Sequence, residues 1–135
     1  MYPVIKQSEL PEESSLSVSV VIPFRNEQEN LPRLLNSLVD QNYKNQWEVL
    51  LVNDHSDDDS VGIVEQFISE NKLSNFVLIH SPEGKQGKKS AIALGAAKAR
   101  GEVLVQTDAD CTMAPSWLKF LIGSFNNRIK LTIAP

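Results

Sequence analysis

Apolar residues in this chain follow two rhythms that alternate along its length. Residues 16–23 (LSVSVVIP), 47–53 (WEVLLVN) and 76–79 (FVLI) are short runs rich in β-branched and apolar side chains, the pattern of buried strands. Val103, Leu104 and Val105 repeat it, and residues 130–134 (KLTIA) read as a fifth strand. Between these runs the spacing becomes helical. Leu31, Leu34, Leu35, Leu38 and Val39 share one face, as do Val61, Val64, Phe67 and Ile68. Residues 90–100 predict an alanine-rich third helix able to lie close to a sheet, with Gly101 as its C-cap. Pro115 suits the first turn of a fourth helix, with Trp117, Leu118, Leu121, Ile122 and Phe125 facing inward. Strands alternating with helices imply an α/β fold, Rossmann-like, with a mostly parallel sheet, right-handed crossovers and helices on both faces. A last strand with nothing after it predicts that the chain is a truncated part of a larger domain.

Composition changes this picture little. A length of 135 residues allows one domain with a real core, and 41% hydrophobic with 22% charged residues is an ordinary globular balance. The net charge of −4 argues against a general nucleic-acid surface, so no nucleic-acid partner is expected. No apolar run approaches the roughly 18–20 residues that span a bilayer. The opening MYPVIKQSELPEESS lacks the apolar core of a signal peptide, so residues 1–16 read as a polar tail and 17–135 as the folded part. The single cysteine, Cys111, excludes an intrachain disulfide and fits a reducing, cytoplasmic setting. A nucleophilic role for that thiol is disfavoured, because neither His55 nor His80 is near it in sequence.

Candidate chemistry concentrates in the stretch EVLVQTDADCT, where a predicted strand runs out into Asp108 and Asp110 with Ala109 between them. Residues two apart on an extended chain point the same way. The pair can therefore converge on one hard cation at the carboxyl end of a strand, where open α/β sheets bind ligands. One reading is a Mg2+ or Mn2+ site holding a nucleoside diphosphate; the other is an acidic turn that caps the next helix. Other phosphate chemistries fit less well. The turn after the first strand, PFRNEQEN, has no glycine and so no dinucleotide fingerprint, and residues 84–90 (GKQGKKS) miss the spacing of a P-loop. Asp108-Ala109-Asp110-Cys111-Thr112 fits D-x-D-x-T, which resembles the nucleophile motif of haloacid-dehalogenase-type phosphatases. In that family the motif opens the domain, whereas here strand–helix units precede it.

Four segments, in order and each at a strand end, resemble family-2 glycosyltransferases, which have the GT-A fold. They are Val18-Ser19-Val20-Val21-Ile22-Pro23-Phe24-Arg25-Asn26-Glu27, Val52-Asn53-Asp54-His55-Ser56, Gly87-Lys88-Lys89-Ser90-Ala91 and Thr107-Asp108-Ala109-Asp110, spanning roughly residues 18–115. The resemblance implies that residues 17–135 are the nucleotide-sugar-binding half of such a domain, with the acceptor half missing. It assigns the nucleotide to Pro23, Phe24, Arg25, Glu27, Asp54, Lys88, Asp108 and Ala109, and the metal to Asp110 with Asp108. Asp54 would accept a hydrogen bond from a pyrimidine N–H, its alternative being a helix cap. Pro23, Phe24 and Glu27 would line the same pocket, Glu27 alternatively serving as a first-turn acid favoured by the helix dipole. Arg25 stands where an aromatic residue is commoner in the family, which bears on how the nucleobase is packed. Lys88, at the start of the third helix, would meet phosphate with its ammonium and the helix's free N–H groups, and neighbouring Lys89 is its rival. Asp108 would contact the ribose or the metal.

The implied activity is metal-dependent, inverting transfer from a nucleotide-diphosphate sugar, with UDP-sugar first and GDP-mannose next. The acceptor would be a hydroxyl of a glycan, lipid or protein, as in the building of cell-envelope polysaccharide. Mn2+ or Mg2+ is the implied cofactor, and many family members are membrane-anchored and act at the cytoplasmic face. Inversion needs a base to take the acceptor's proton. The family supplies an Asp or Glu beyond the metal motif, but residues 111–135 contain neither. No catalytic residue is therefore assigned in this chain, and alone it is expected to be inactive in transfer. The rival readings are a non-catalytic nucleotide-binding module and, further off, the phosphatase.

Overall fold

A strand can be apolar on both faces only if helices cover both sides and other strands cover both edges. β1 (Val18–Phe24) meets all four conditions and is buried along its whole length. The computed structural model describes residues 16–124 and 131–133. Within them β1 lies between β2 (Trp47–Asn53) and β4 (Val103–Gln106), with β3 (Phe76–His80) and β5 (Leu131–Ile133) outside. The order is β3-β2-β1-β4-β5, and every pair is parallel. Val18 pairs with both Trp47 and Val103, which sets the register of the three central strands.

β1 does not stop at Pro23 as its sequence predicts but continues to Phe24. In a parallel ladder the N–H and C=O of one residue face the same neighbour. The Val21 carbonyl accepts from Thr107 N–H at 3.2 Å, so Val21 and Pro23 face β4. β4 has already ended at Gln106, opposite Val21. The N–H that proline lacks falls where no partner strand remains, so it costs no ladder bond.

One face of the sheet packs against α1 (Leu31–Val39), α2 (Ser60–Glu70) and α4 (Trp117–Gly123), the other against α3 (Lys88–Lys98). Leu31, Leu34, Leu35 and Leu38 are fully buried, but helical rotation carries Val39 to the margin of the stripe and leaves it exposed. Val64 is buried, with Val61, Phe67 and Ile68 half-buried around it. In α4 Leu118 and Ile122 face the core and Trp117 and Leu121 pack beside it, while Phe125 lies outside the described residues, as do Lys130 and Ala134 of the predicted fifth strand. The small residues of α3 do bring it against the sheet. A Cβ on Gly95 would lie 2.6 Å from Val21 Cγ1 and 3.1 Å from Val52 Cγ2.

Gly101 is not the C-cap of α3. That helix ends at Ala99 in an extended conformation, and Gly101 has no left-handed backbone. A Cβ there would sit 2.7 Å from the backbone of Val18 and Ser19, so it is close approach to β1 that requires glycine. Among the described residues no helix is long and apolar enough to cross a membrane.

Candidate active site

The chain leaves β1 toward β2 on one side and reaches β4 on the other, so β1 and β4 flank a topological switch point, where such sheets open a crevice. β4 stops opposite Val21, while β1 runs on to Phe24. The space left beyond β4 is a cleft of about 290 Å³, lined by Pro23, Phe24, Arg25, Glu27, Asp54, Lys88, Asp108, Ala109 and Asp110. Every residue singled out for nucleotide or metal lies on its wall. Lys89, the rival of Lys88, does not.

The two aspartates meet there for a different reason than strand alternation. β4 ends at Gln106, and the Cys111 N–H donates to the Asp108 carbonyl at 3.2 Å, so Asp108–Cys111 is a turn and not extended chain. Nor do these acids cap α4, whose N-cap is Ser116 without a side-chain bond. Asp108 Oδ1 accepts from Lys88 Nζ at 2.6 Å and from Gln106 Nε2 at 3.1 Å. The Lys88 ammonium holds the Asp108 carboxyl below its ordinary range; partial burial opposes this, and Gln106 adds to it. Asp110 is exposed, and among the described residues its carboxylate has only the Cys111 thiol, 3.8 Å away, for company.

Asp54 sits at the base of the cleft, 6% exposed. Its backbone N–H continues the sheet to the Phe24 carbonyl at 2.9 Å. Its two carboxylate oxygens accept from the Gly87 N–H at 3.2 and 3.1 Å. It therefore does not cap α2 but anchors the residue that opens α3, which puts Lys88 on the cleft wall. Gly87 has φ 99°, a conformation that favours glycine. Glu27 precedes α1 by a full turn, so it is not a first-turn acid; its carboxylate accepts from Asn30 Nδ2 at 2.8 Å. Arg25 is exposed, and its guanidinium has no hydrogen bond or ion pair among the described residues.

A clamp between the first two loops escaped the sequence reading. Asn26, at φ 52°, uses its Oδ1 to accept from the N–H groups of Asp57 (2.7 Å) and Asp58 (3.2 Å). Glu27 N–H donates to Ser60 Oγ at 2.8 Å, and Asp59 N–H to Gln28 Oε1 at 2.9 Å. In the polar run 54–59 ahead of α2, Asp58 accepts from the Ser60 N–H at 2.9 Å. Burial works against the Asp58 charge, but bonds from Ser60 and Gln28 outweigh it and leave its carboxyl below the ordinary range. The available signal was an asparagine just past a strand end, a residue that tolerates the left-handed turn. The histidines are engaged elsewhere, His55 Nε2 with the Lys85 carbonyl (2.8 Å) and His80 Nδ1 with Asn53 Nδ2 (3.1 Å), and neither meets Cys111.

Among the described residues no cluster of three or more His, Cys, Asp or Glu side chains is poised to hold a metal. The donor set nevertheless fits Mg2+ or Mn2+ in one familiar form, in which one or two carboxylates bind and substrate phosphates and water complete the shell. The cleft wall carries four carboxylates (Glu27, Asp54, Asp108, Asp110) against two cations (Arg25, Lys88).

A doubly wound α/β domain with an acidic crevice at its switch point is the class these features define. The chain belongs to glycosyl transferase family 2, whose sequence signature matches residues 19–133. It is 33% identical over 111 residues to the probable glycosyltransferase YdaM of Bacillus subtilis, covering 82% of this chain and 26% of that protein. S. aureus TarS 1–349, solved in complex with UDP-GlcNAc, superposes with a TM-score of 0.70 at 29% identity, over 78% of this chain and 30% of that one. The mannosyltransferase PcManGT from Pyrobaculum calidifontis, solved with GDP-Man and Mn2+, gives 0.73 at 26% identity, over 79% and 31%. The fold is of the GT-A type. The chain spans about a quarter to a third of the length of these relatives. With the family established, the likeness of Asp108–Thr112 to a phosphatase nucleophile motif falls away.

Proposed function

We propose that this chain is the donor-binding part of a metal-dependent, inverting glycosyltransferase. It takes a nucleotide-diphosphate sugar, UDP-sugar before GDP-mannose, and serves transfer to a hydroxyl of a glycan, lipid or protein acceptor on the cytoplasmic side of the membrane. The observation that carries this reading is one cleft at the switch point holding a buried carboxylate, a helix N-terminus with a lysine, and an acidic turn. The nucleotide sugars bound by TarS and PcManGT support it, as does the Mn2+ of the latter.

Breaking the bond at the anomeric carbon leaves a nucleoside diphosphate that gains negative charge. The carboxylates of the cleft would repel that charge. Asp110, with Asp108, would hold a divalent ion, which would supply the Lewis acid that offsets it. Lys88 and the free N–H groups at the start of α3 face the same phosphates. Asp54 receives the N–H of the base, and Pro23 and Phe24 form the wall beneath it. The acceptor's proton passes to a carboxylate outside residues 111–135.

Thermal shift with UDP, GDP, CDP and ADP, each with Mn2+, Mg2+ or chelator, tests the reading. The largest shift is expected for UDP with Mn2+ and should vanish with chelator. Equal shifts for all four nucleotides irrespective of metal would sink it.

A further inference from the structure

We infer that Lys88 is an internal counter-ion that holds Asp108 until a diphosphate arrives, so that the metal enters this site with the nucleotide and not ahead of it. The inference rests on the donor-binding reading above. Two independent observations carry it. Lys88 Nζ lies 2.6 Å from Asp108 Oδ1, with Gln106 Nε2 on the same oxygen, so the less exposed of the two paired aspartates is already neutralised. Among the described residues no third acid, histidine or cysteine joins Asp108 and Asp110 as a metal-binding group. A lone divalent cation therefore finds Asp110 and little else.

A diphosphate changes both terms together. Its oxygens complete the metal's shell, and they offer the Lys88 ammonium a second anion. Lys88 then passes from carboxylate to phosphate, and Asp108 is freed for the metal or the ribose. The exchange is open to it: the two side chains are 58% and 40% exposed, and an ion pair in that setting holds only weakly. The backbone beneath stays fixed, because Asp54 anchors Gly87 immediately before Lys88. A flexible stem with three donors on a fixed base suits a group that changes partners.

The test measures Mn2+ binding by electron paramagnetic resonance, and UDP binding by calorimetry with and without Mn2+, on the intact protein. Wild type, Lys88→Gln and Lys89→Gln are compared, the last being an equal change of charge on a residue off the cleft wall. Wild type should bind Mn2+ at least about tenfold more tightly with UDP than without it, within the usual span of coupling between two ligands. Lys88→Gln should bind Mn2+ alone about three- to fivefold more tightly than wild type, the scale of an exposed ion pair. The same variant should bind Mn2+ with UDP more weakly than wild type, while Lys89→Gln changes neither by more than about twofold. These opposed shifts are what a residue acting only as a phosphate ligand would not produce. Unchanged or weaker Mn2+ binding by Lys88→Gln overturns the inference while leaving the donor site intact. Wild type failing to bind UDP with any metal would overturn the donor-binding reading itself, and the inference with it.

Discussion

The two ends of the parallel sheet are both polar, but their charges are answered in different ways. At the amino end Ser19 Oγ donates to Glu48 Oε2 at 2.6 Å and accepts from the Gly101 N–H at 2.7 Å. Glu48 also accepts from the Arg100 N–H, and Glu102 and Ser17 exchange bonds in the same way. Each carboxylate there is answered by a backbone N–H just ahead of a neighbouring strand, Arg100 before β4 and Ser17 before β1, which ties the starts of β1, β2 and β4 together. At the carboxyl end Asp110 and Arg25 have little or no partner among the described residues, and Lys88 and Asp108 answer each other in reach of solvent. The amino end nevertheless has the larger hollow, about 330 Å³ against 290 Å³. Size alone therefore does not single out the proposed donor site. Charge that the chain has not already satisfied, at the open end of a helix, is the better guide.

Mutations should separate the ends cleanly. The largest effect is expected from Asp110→Asn, which should leave the unliganded melting temperature unchanged and abolish the Mn2+-dependent stabilisation by UDP. At a hundredfold excess over Kd that stabilisation is about 2.7 kcal/mol. A full shift in the variant would take the metal away from Asp110.

Asp54→Asn is next. Its amide oxygen can still accept from Gly87, but its N–H groups would face the donor of a pyrimidine. UDP should weaken by about 1.5–3 kcal/mol, the scale of a bond to a charged acceptor, and pyrophosphate by less. Equal losses in calorimetry would reduce Asp54 to an anchor for α3. At the other end, Ser19→Ala should lower stability by about 1–3 kcal/mol, since it strips partners from Glu48 and from the half-buried Gly101 N–H. Chemical denaturation measures this, and the nucleotide Kd should not move; if it does, the two ends are coupled.

The smallest effect concerns pH. Lys88 depresses the folded-state pKa of Asp108, so their pairing adds stability above the carboxylate's unfolded pKa, about 3.9. That contribution is lost as pH falls through the depressed folded value. With both groups well exposed the gain is small. In an NMR titration Lys88→Gln should move the Asp108 midpoint upward, and an unmoved midpoint would show that another group sets it.

Local pattern decided more of this protein than its modest length suggests. The strands at 47–53 and 76–79 follow from short continuous apolar runs and the helix face Leu31-Leu34-Leu35-Leu38 from a period of 3.6, which need no knowledge of distant residues. The residues of the cleft were legible too, through the resemblance of four segments to a known family; those segments lie near strand ends and a helix start, positions that gather at one end in parallel α/β folds. What each residue does to its neighbours was not legible. Asp108 and Asp110 meet through a turn and not by strand alternation, Asp54 holds Gly87, and Asn26 holds the loop after β2. Gly101 is required by the backbone of β1 and not by a helix end. Lys88 and Asp108 lie twenty residues apart in sequence and 2.6 Å apart in space. Such pairings depend on which strand lies beside which and where β4 stops relative to β1. Chain order alone does not encode that; it emerges when two helical layers pack on one twisted sheet.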